Sequence, residues 1–107
     1  MSNAIYYVSY KLKKDASVPD FMSAAKKLND DFISKQNGYI SWRQWRAGDT
    51  WADVVIFETM EDLESFQAKS RNPSQLAEEF YSFINLSPAT TKVHVFSQEI
   101  IHGRIVK

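Results

Sequence analysis

The chain of 107 residues is long enough for one hydrophobic core, and 44% hydrophobic with 24% charged residues is typical of a globular protein. We therefore expect a single domain over residues 1–107. Thirteen basic and thirteen acidic residues give a formal net charge of zero, which argues against a nucleic-acid partner because such proteins carry a basic excess. The absence of cysteine excludes disulfides, thiolate metal sites and a cysteine nucleophile.

Membrane and secretion signals are not visible in the sequence. No apolar run approaches the roughly 20 residues that a membrane helix needs. The start of the chain lacks a basic segment followed by an apolar stretch. We therefore expect no membrane partner and a cytoplasmic location.

The first predicted elements are a strand and a helix. Residues 4–12 alternate and are rich in aromatic and β-branched types, which predicts a strand. Ser17 is a suitable helix N-cap, and Pro19 falls in the first turn. Apolar residues then recur at helical spacing until Asn37-Gly38, where we expect the helix to stop.

Residues 38–57 are predicted to form a hairpin, because two runs rich in aromatic and β-branched residues flank Gly48-Asp49. If this two-residue turn sets the register, Arg43 lies opposite Val54. A three-residue turn would exchange the two faces of the hairpin, since a one-residue slip moves every side chain to the other face.

In the second half of the chain the sequence pattern predicts two helical segments followed by a strand. Residues 60–71 predict a helix, which breaks at 72–74 and resumes until Pro88. Residues 90–99 predict the last long strand. The tail 100–107 is apolar enough to form another short strand on a partner subunit.

The order of these elements, β-α-β-β-α-β, predicts an α+β fold of the split βαβ, or ferredoxin-like, type. Its four-stranded antiparallel sheet would carry the helices on one face and leave the other face aromatic and uncovered. Packing two such faces together removes this surface from water, so we expect a homodimer, a dimeric α/β barrel. The predicted interface residues are Trp42, Val55, Phe57, His94 and Phe96.

This pattern resembles the antibiotic-biosynthesis-monooxygenase-like family of the dimeric α/β-barrel superfamily. The resemblance runs from Ile5 to about Glu99. Its most characteristic stretches are Gly38-Tyr39, FETMEDLESF at 57–66 and NPSQLAEEFYSFINL at 72–86.

The resemblance implies an oxygenase activity, and differences from the haem-degrading members argue against haem. The family includes cofactor-independent oxygenases of aromatic, quinol-like compounds, and haem-degrading enzymes. The haem-degrading members have an Asn on the first strand, a Trp two residues after the Glu that ends a strand, and a His in the second helical region; Glu58 matches that Glu. Here the first strand has no Asn after Asn3, Met60 stands in place of the Trp, and residues 61–87 contain no His. We therefore expect neither haem nor another cofactor, and no metal.

A candidate site follows from the predicted register, which places Tyr39 opposite Glu58. We expect the first and third strands to run parallel, which would bring Tyr10 close to Glu58 under the helices. A carboxylate among tyrosines could bind or deprotonate a phenolic substrate, so Glu58 is the candidate catalytic base. In the alternative, Glu58 pairs with Arg43 or a helix N-terminus and has a structural role. The candidate substrate-binding residues are Tyr6, Tyr10, Tyr39, Arg43, Trp45 and Met60.

Three functions remain open at the level of sequence. The first is a cofactor-independent monooxygenase acting on a small aromatic compound of the phenol or quinol type. The second is a non-catalytic dimeric barrel that binds a small molecule or acts in a stress response. The third is an isomerase of the same superfamily.

Overall fold

The computed structural model describes residues 3–69 and 71–99, so the strand predicted in the tail 100–107 lies outside the described residues. In chain order the elements are β1 (Ala4–Leu12), α1 (Val18–Asp31), a 3₁₀ turn (Ile33–Lys35), β2 (Tyr39–Ala47), β3 (Thr50–Phe57), α2 (Met60–Lys69), α3 (Gln75–Tyr81), β4 (Ile84–Asn85) and β5 (Lys92–Ser97). None of the helices in this part of the chain is both long enough and apolar enough to cross a membrane.

The sheet has the order β2-β3-β1, and the free edge of β1 pairs with both β4 and β5. Every pair of strands is antiparallel. The ferredoxin-like α+β fold is thus confirmed, with five strands where four were predicted. The fifth is the two-residue β4, where Ile84 is buried beside Leu12. For this reason the second helical region ends at Tyr81 and does not continue to Pro88.

The predicted parallel arrangement of β1 and β3 is wrong. A helix connects β1 to β2, and a hairpin then reverses the chain, so β3 runs against β1. Tyr10 consequently lies opposite Trp51, whereas Glu58 follows the other end of β3. The two residues are not neighbours.

The start of α1 follows the sequence signal, but its end does not: α1 ends at Asp31, and a 3₁₀ turn at Ile33–Lys35 replaces the last turn predicted before Gly38. Ser17 is the N-cap, and its Oγ accepts a hydrogen bond from the Asp20 N–H at 3.3 Å. The chain then turns into β2 through Gly38, whose φ of +77° suits glycine. A Cβ at this position would lie 2.1 Å from Asp62 Oδ2, so the close approach of α2 also requires glycine.

The β2–β3 hairpin has the predicted two-residue turn, Gly48-Asp49, with Gly48 at φ +60°. Its register is as predicted from Ser41 to Ala47, for example Arg43 opposite Val54. A bulge at Ile40 changes the pairing beyond that point, so Tyr39 lies opposite Phe57 and not opposite Glu58.

The two faces of the hairpin are reversed relative to our expectation: the face that we expected to be open lies under the helices. The side chains of Trp51, Val55 and Phe57 are buried under the helices, whereas Arg43 and Trp45 are exposed on the open face. The predicted interface must therefore be corrected, because Trp42, Val55 and Phe57 belong to the helix side. Trp42 packs edge-on against Phe80 of α3, with ring centroids 5.4 Å apart, and Val55 and Phe57 are core residues.

The open face of the sheet keeps two of the predicted interface residues, His94 and Phe96. Their rings stack with centroids 5.7 Å apart, and His94 also contacts the ring of Tyr7. Phe96 is 48% exposed and Trp45 is 52% exposed. No helix of the described residues covers this aromatic surface.

Candidate functional site

A cavity of about 200 Å³ lies between the helix-facing side of the sheet and the helices. Its walls are almost entirely apolar and aromatic. It opens to solvent beside Leu86 and Val93, which line it and are 60% and 49% exposed. The lining residues that matter for chemistry are Tyr6, Tyr10, Trp42, Asp53, Phe80 and Tyr81.

Asp53 is the polar centre of this cavity. It projects from the middle of β3 toward the helices, between Trp51 and Val55, and is only 2% exposed. The Tyr10 hydroxyl donates to its carboxylate and lies 2.8 and 2.9 Å from the two oxygens. Gln44, opposite Asp53 on β2, places its Nε2 3.4 Å from both Asp53 Oδ1 and the Tyr10 hydroxyl. The three side chains form one hydrogen-bonded network, in which Tyr10 and Asp53 are buried and Gln44 is half-buried.

Burial raises the pKa of Asp53 to about 7, because removal from water disfavours the charged carboxylate. The hydrogen bonds from Tyr10 and Gln44 and the nearby indole of Trp42 act in the opposite direction and stabilise the ionised form. A carboxyl group with this pKa exchanges a proton readily near neutral pH, which is the property of a general base.

The tyrosines around Asp53 are held in their neutral form. Burial and the Asp53 charge raise the pKa of Tyr10 far above its usual range. Burial, Tyr81 and Asp53 raise the pKa of Tyr6, and burial and Asp53 raise that of Tyr81. These hydroxyls therefore serve as hydrogen-bond donors near neutral pH and not as bases.

The structure brings only two of the predicted site residues to the cavity, Tyr6 and Tyr10. Tyr39 is on the helix side but donates its hydroxyl to Asn29 Oδ1 at 2.9 Å and does not line the cavity. Arg43 and Trp45 lie on the open face of the sheet, with the sheet itself between them and the cavity. Met60 packs against the core at the start of α2, also outside the cavity.

Glu58 does not have the predicted position. It follows β3, its side chain is exposed, and it is not among the residues lining the cavity. The bulge at Ile40 and the backbone hydrogen bond from Glu58 N–H to Gly38 carbonyl, at 2.8 Å, fix this corner of the sheet. The expectation that Glu58 is buried under the helices is wrong.

Asp53 and Trp42 are the residues that the sequence analysis missed. The predicted hairpin pairs Trp42 with Val55 and Gln44 with Asp53, on the face that we expected to be open. A signal was nevertheless present: Asp53 shares its face with Trp51 and Phe57, and a carboxylate flanked by aromatic core residues indicates a buried polar site.

Metal-ligating side chains do not gather near this site. Among residues 3–69 and 71–99 there is no group of three or more His, Asp or Glu side chains that could hold a metal ion. The expectation of a site without cofactor or metal stays a prediction.

The fold is similar to that of solved structures of antibiotic-biosynthesis-monooxygenase-like proteins, in agreement with the sequence resemblance. SnoaB, a cofactor-independent oxygenase from Streptomyces nogalater, matches with a TM-score of 0.70 at 10% identity, covering 94% of this chain and 97% of SnoaB. A candidate antibiotic biosynthesis monooxygenase from Nitrosomonas europaea matches with a TM-score of 0.66 at 11% identity, covering 94% of each chain. A conserved protein from Methanosarcina mazei matches with a TM-score of 0.66 at 14% identity, covering 92% of this chain and 95% of the Methanosarcina chain.

Comparison by sequence finds no known family profile and no curated protein that matches this chain. Identities of 10 to 14% show a shared fold and nothing more specific.

Proposed function

We propose that this protein is a cofactor-independent monooxygenase-like enzyme acting on a small phenol or hydroquinone, with Asp53 as its general base. The observation that carries the proposal is a carboxyl group buried on the wall of an aromatic cavity, where burial raises its pKa to about 7. Enzymes place a general base of this pKa where a weakly acidic substrate must lose a proton near neutral pH. Asp53 takes the role that the sequence analysis gave to Glu58.

The chemistry needs little from the protein beyond a base and an apolar pocket. Asp53 accepts the hydroxyl proton, the electron-rich phenolate carbon forms a C–O bond with O₂, and the proton returns from Asp53 to the peroxide to give a hydroperoxide. Loss of the remaining ring proton and cleavage of the O–O bond produce a quinone carbonyl and water. One oxygen atom of O₂ thus enters the product, the other leaves as water, and the substrate supplies all four electrons.

The size of the cavity favours a compact substrate. A cavity of about 150 Å³ lined by apolar side chains is sufficient for a benzene ring, and the cavity here has about 200 Å³. A substituted single ring therefore fits inside. The opening at Leu86 and Val93 leaves room for a larger substrate to extend toward solvent.

The structural comparisons support the class of reaction. SnoaB is a cofactor-independent oxygenase, and its fold covers 94% of this chain. The identity of 10% gives no support for a particular substrate, so the phenol or hydroquinone class rests on Asp53 and the aromatic walls.

We also propose that the open face of the sheet is a homodimer interface, with His94 and Phe96 at its centre together with Tyr7 and Trp45. Phe96 and Trp45 are about half exposed on this face, and large exposed apolar surfaces are uncommon in stable monomers. A two-fold dimer would cover them without closing the cavity, because the cavity lies on the other face of the sheet.

Oxygen consumption tests the proposed reaction. Purified protein is mixed with a panel of phenols and hydroquinones in an oxygen electrode, with the O-methyl ethers of the same compounds as matched controls. We expect O₂ uptake and quinone formation with at least one free phenol and none with its ether. Binding of the phenols without any O₂ uptake would contradict the enzyme and favour the non-catalytic binding protein.

A further inference from the structure

The indole N–H of Trp42 is a buried donor that makes no hydrogen bond of normal geometry among residues 3–69 and 71–99, although it interacts weakly with the Asp53 carboxylate. Trp42 lines the cavity beside Asp53, and its ring is held by the edge-on contact with Phe80. Buried polar groups are nearly always paired in native structures, and an unpaired one needs an explanation. An acceptor atom on a bound ligand would provide the missing partner.

The Trp42 N–H and the Asp53 carboxylate complement each other. The indole lies close enough to lower the pKa of Asp53, yet the contact does not meet hydrogen-bond geometry. The close partner of the carboxylate is the Tyr10 hydroxyl. A ligand hydroxyl at this end of the cavity could donate to Asp53 and accept from Trp42 at the same time.

We propose that the Trp42 N–H holds the ligand oxygen that Asp53 deprotonates, and that it stabilises the resulting anion. This inference rests on the proposed function, because it assigns a role at the same site. The proton moves from the ligand hydroxyl to the Asp53 carboxylate, the electron pair stays on the ligand oxygen, and the indole keeps its own proton. A hydrogen bond to a charged acceptor is stronger than one to a neutral acceptor, so Trp42 favours the phenolate over the phenol.

The pairing also narrows the ligand class. The ligand must carry a free hydroxyl on an aromatic ring, since the oxygen has to donate and accept at once. An aryl methyl ether could accept from Trp42 but could not donate to Asp53. We therefore expect hydroxyarenes to bind in preference to their ethers.

The test uses para-nitrophenol, whose visible absorbance distinguishes phenol from phenolate, and para-nitroanisole, which cannot ionise. Trp42→Phe removes the N–H and keeps an aromatic ring against Phe80. Near pH 7 we expect this variant to lose about 10- to 100-fold in affinity for nitrophenol, the usual range for a charged hydrogen bond, and to shift the bound absorbance toward the phenol form. The loss for nitroanisole should be about 10-fold at most. Trp45→Phe makes the same substitution on the open face of the sheet. It should change neither the affinity for nitrophenol nor the absorbance of the bound nitrophenol.

A second measurement does not depend on how the variant folds. In the wild-type protein labelled at nitrogen, the Trp42 indole N–H resonance should move downfield on addition of nitrophenol, whereas that of Trp45 should not.

The outcomes separate this inference from the proposed function. In one outcome, nitrophenol binds through Asp53 while its absorbance on Trp42→Phe equals that on the wild type and the Trp42 N–H resonance does not move. This result would overturn the role of Trp42 and leave Asp53 as the proposed base. If nitrophenol does not bind to the wild-type protein at all, the proposed site fails and the role of Trp42 fails with it.

Discussion

The Tyr10 hydroxyl donates to the carboxylate of Asp53 across two neighbouring strands, at 2.8 and 2.9 Å from its two oxygens. This bond joins the one polar residue of the described core to an otherwise aromatic wall. It stabilises the ionised carboxylate in a place where burial favours the protonated form. The balance between the two effects sets the pH at which Asp53 can act as a base.

Removal of that hydroxyl should change the pH dependence of the proposed reaction. A base must be ionised to act, so kcat/KM should rise with pH through an apparent pKa of about 7. Tyr10→Phe removes a bond that lowers the pKa of Asp53, and the rising limb should move to higher pH. Tyr7→Phe, on the open face, should leave it in place. If kcat/KM of Tyr10→Phe rises over the same pH range as in the wild type, Asp53 is not the group whose ionisation causes the rise.

The buried carboxyl should also make folding stability depend on pH. Asp53 has a pKa of about 7 in the folded protein and 3.8 ordinarily, so the folded state binds an extra proton between these values. The free energy of unfolding should fall as pH rises from about 4 to about 7 and then level off. The loss from this group is at most on the order of 4 kcal/mol.

Asp53→Asn should remove this decline, because the amide keeps the shape and does not ionise. Denaturant unfolding should find the variant more stable than the wild type at pH 8 and similar to it near pH 4. The titrating neighbours, Tyr6 and Tyr10 on β1 and Tyr81 on α3, have raised pKa values and do not ionise in this window. Asp31→Asn, on the exposed end of α1, is the control. Parallel curves for wild type and Asp53→Asn would contradict the raised pKa.

The close approach at Gly38 predicts a local stability effect. Gly38→Ala introduces a Cβ that would lie 2.1 Å from Asp62 Oδ2, at a φ of +77°. We expect a loss of about 1–3 kcal/mol in the free energy of unfolding. Gly48→Ala shares a positive φ but has no atom within 4 Å, so it should cost only about 1 kcal/mol. Equal losses in denaturant unfolding would show that the contact with Asp62 is not tight.

The proposed dimer predicts which surface substitutions matter. Trp45→Asp and Phe96→Asp place a charge on the open face and should weaken the dimer at least about 10-fold. Met22→Asp, on the exposed side of α1, should have no effect. Sedimentation should give twice the chain mass of 12.4 kDa for wild type and the Met22 variant. A wild-type monomer at micromolar concentration would contradict the interface.

The local signals in the sequence predicted most of the helices and strands, but neither the short strand β4 nor the faces of the sheet. Ser17 and the Gly48-Asp49 turn gave the start of α1 and the hairpin register, because caps and tight turns depend on few residues. The face could not be chosen by periodicity, since both sides of β3 are largely apolar. The bulge at Ile40 was also invisible, because it depends on contacts between β2 and β3. These two features explain why the sequence indicates Glu58 as the base, whereas the structure indicates Asp53.

The most direct test compares the two carboxylates in one assay, the rate of O₂ uptake with the best substrate of the phenol panel. A general base contributes roughly 10²- to 10⁴-fold to a reaction. Asp53→Asn should therefore lower kcat by at least about 100-fold while circular dichroism shows an intact fold. Glu58→Gln, on the exposed corner after β3, should keep nearly the full rate. Full activity in Asp53→Asn, or its loss in Glu58→Gln alone, would contradict the assignment of Asp53 as the base.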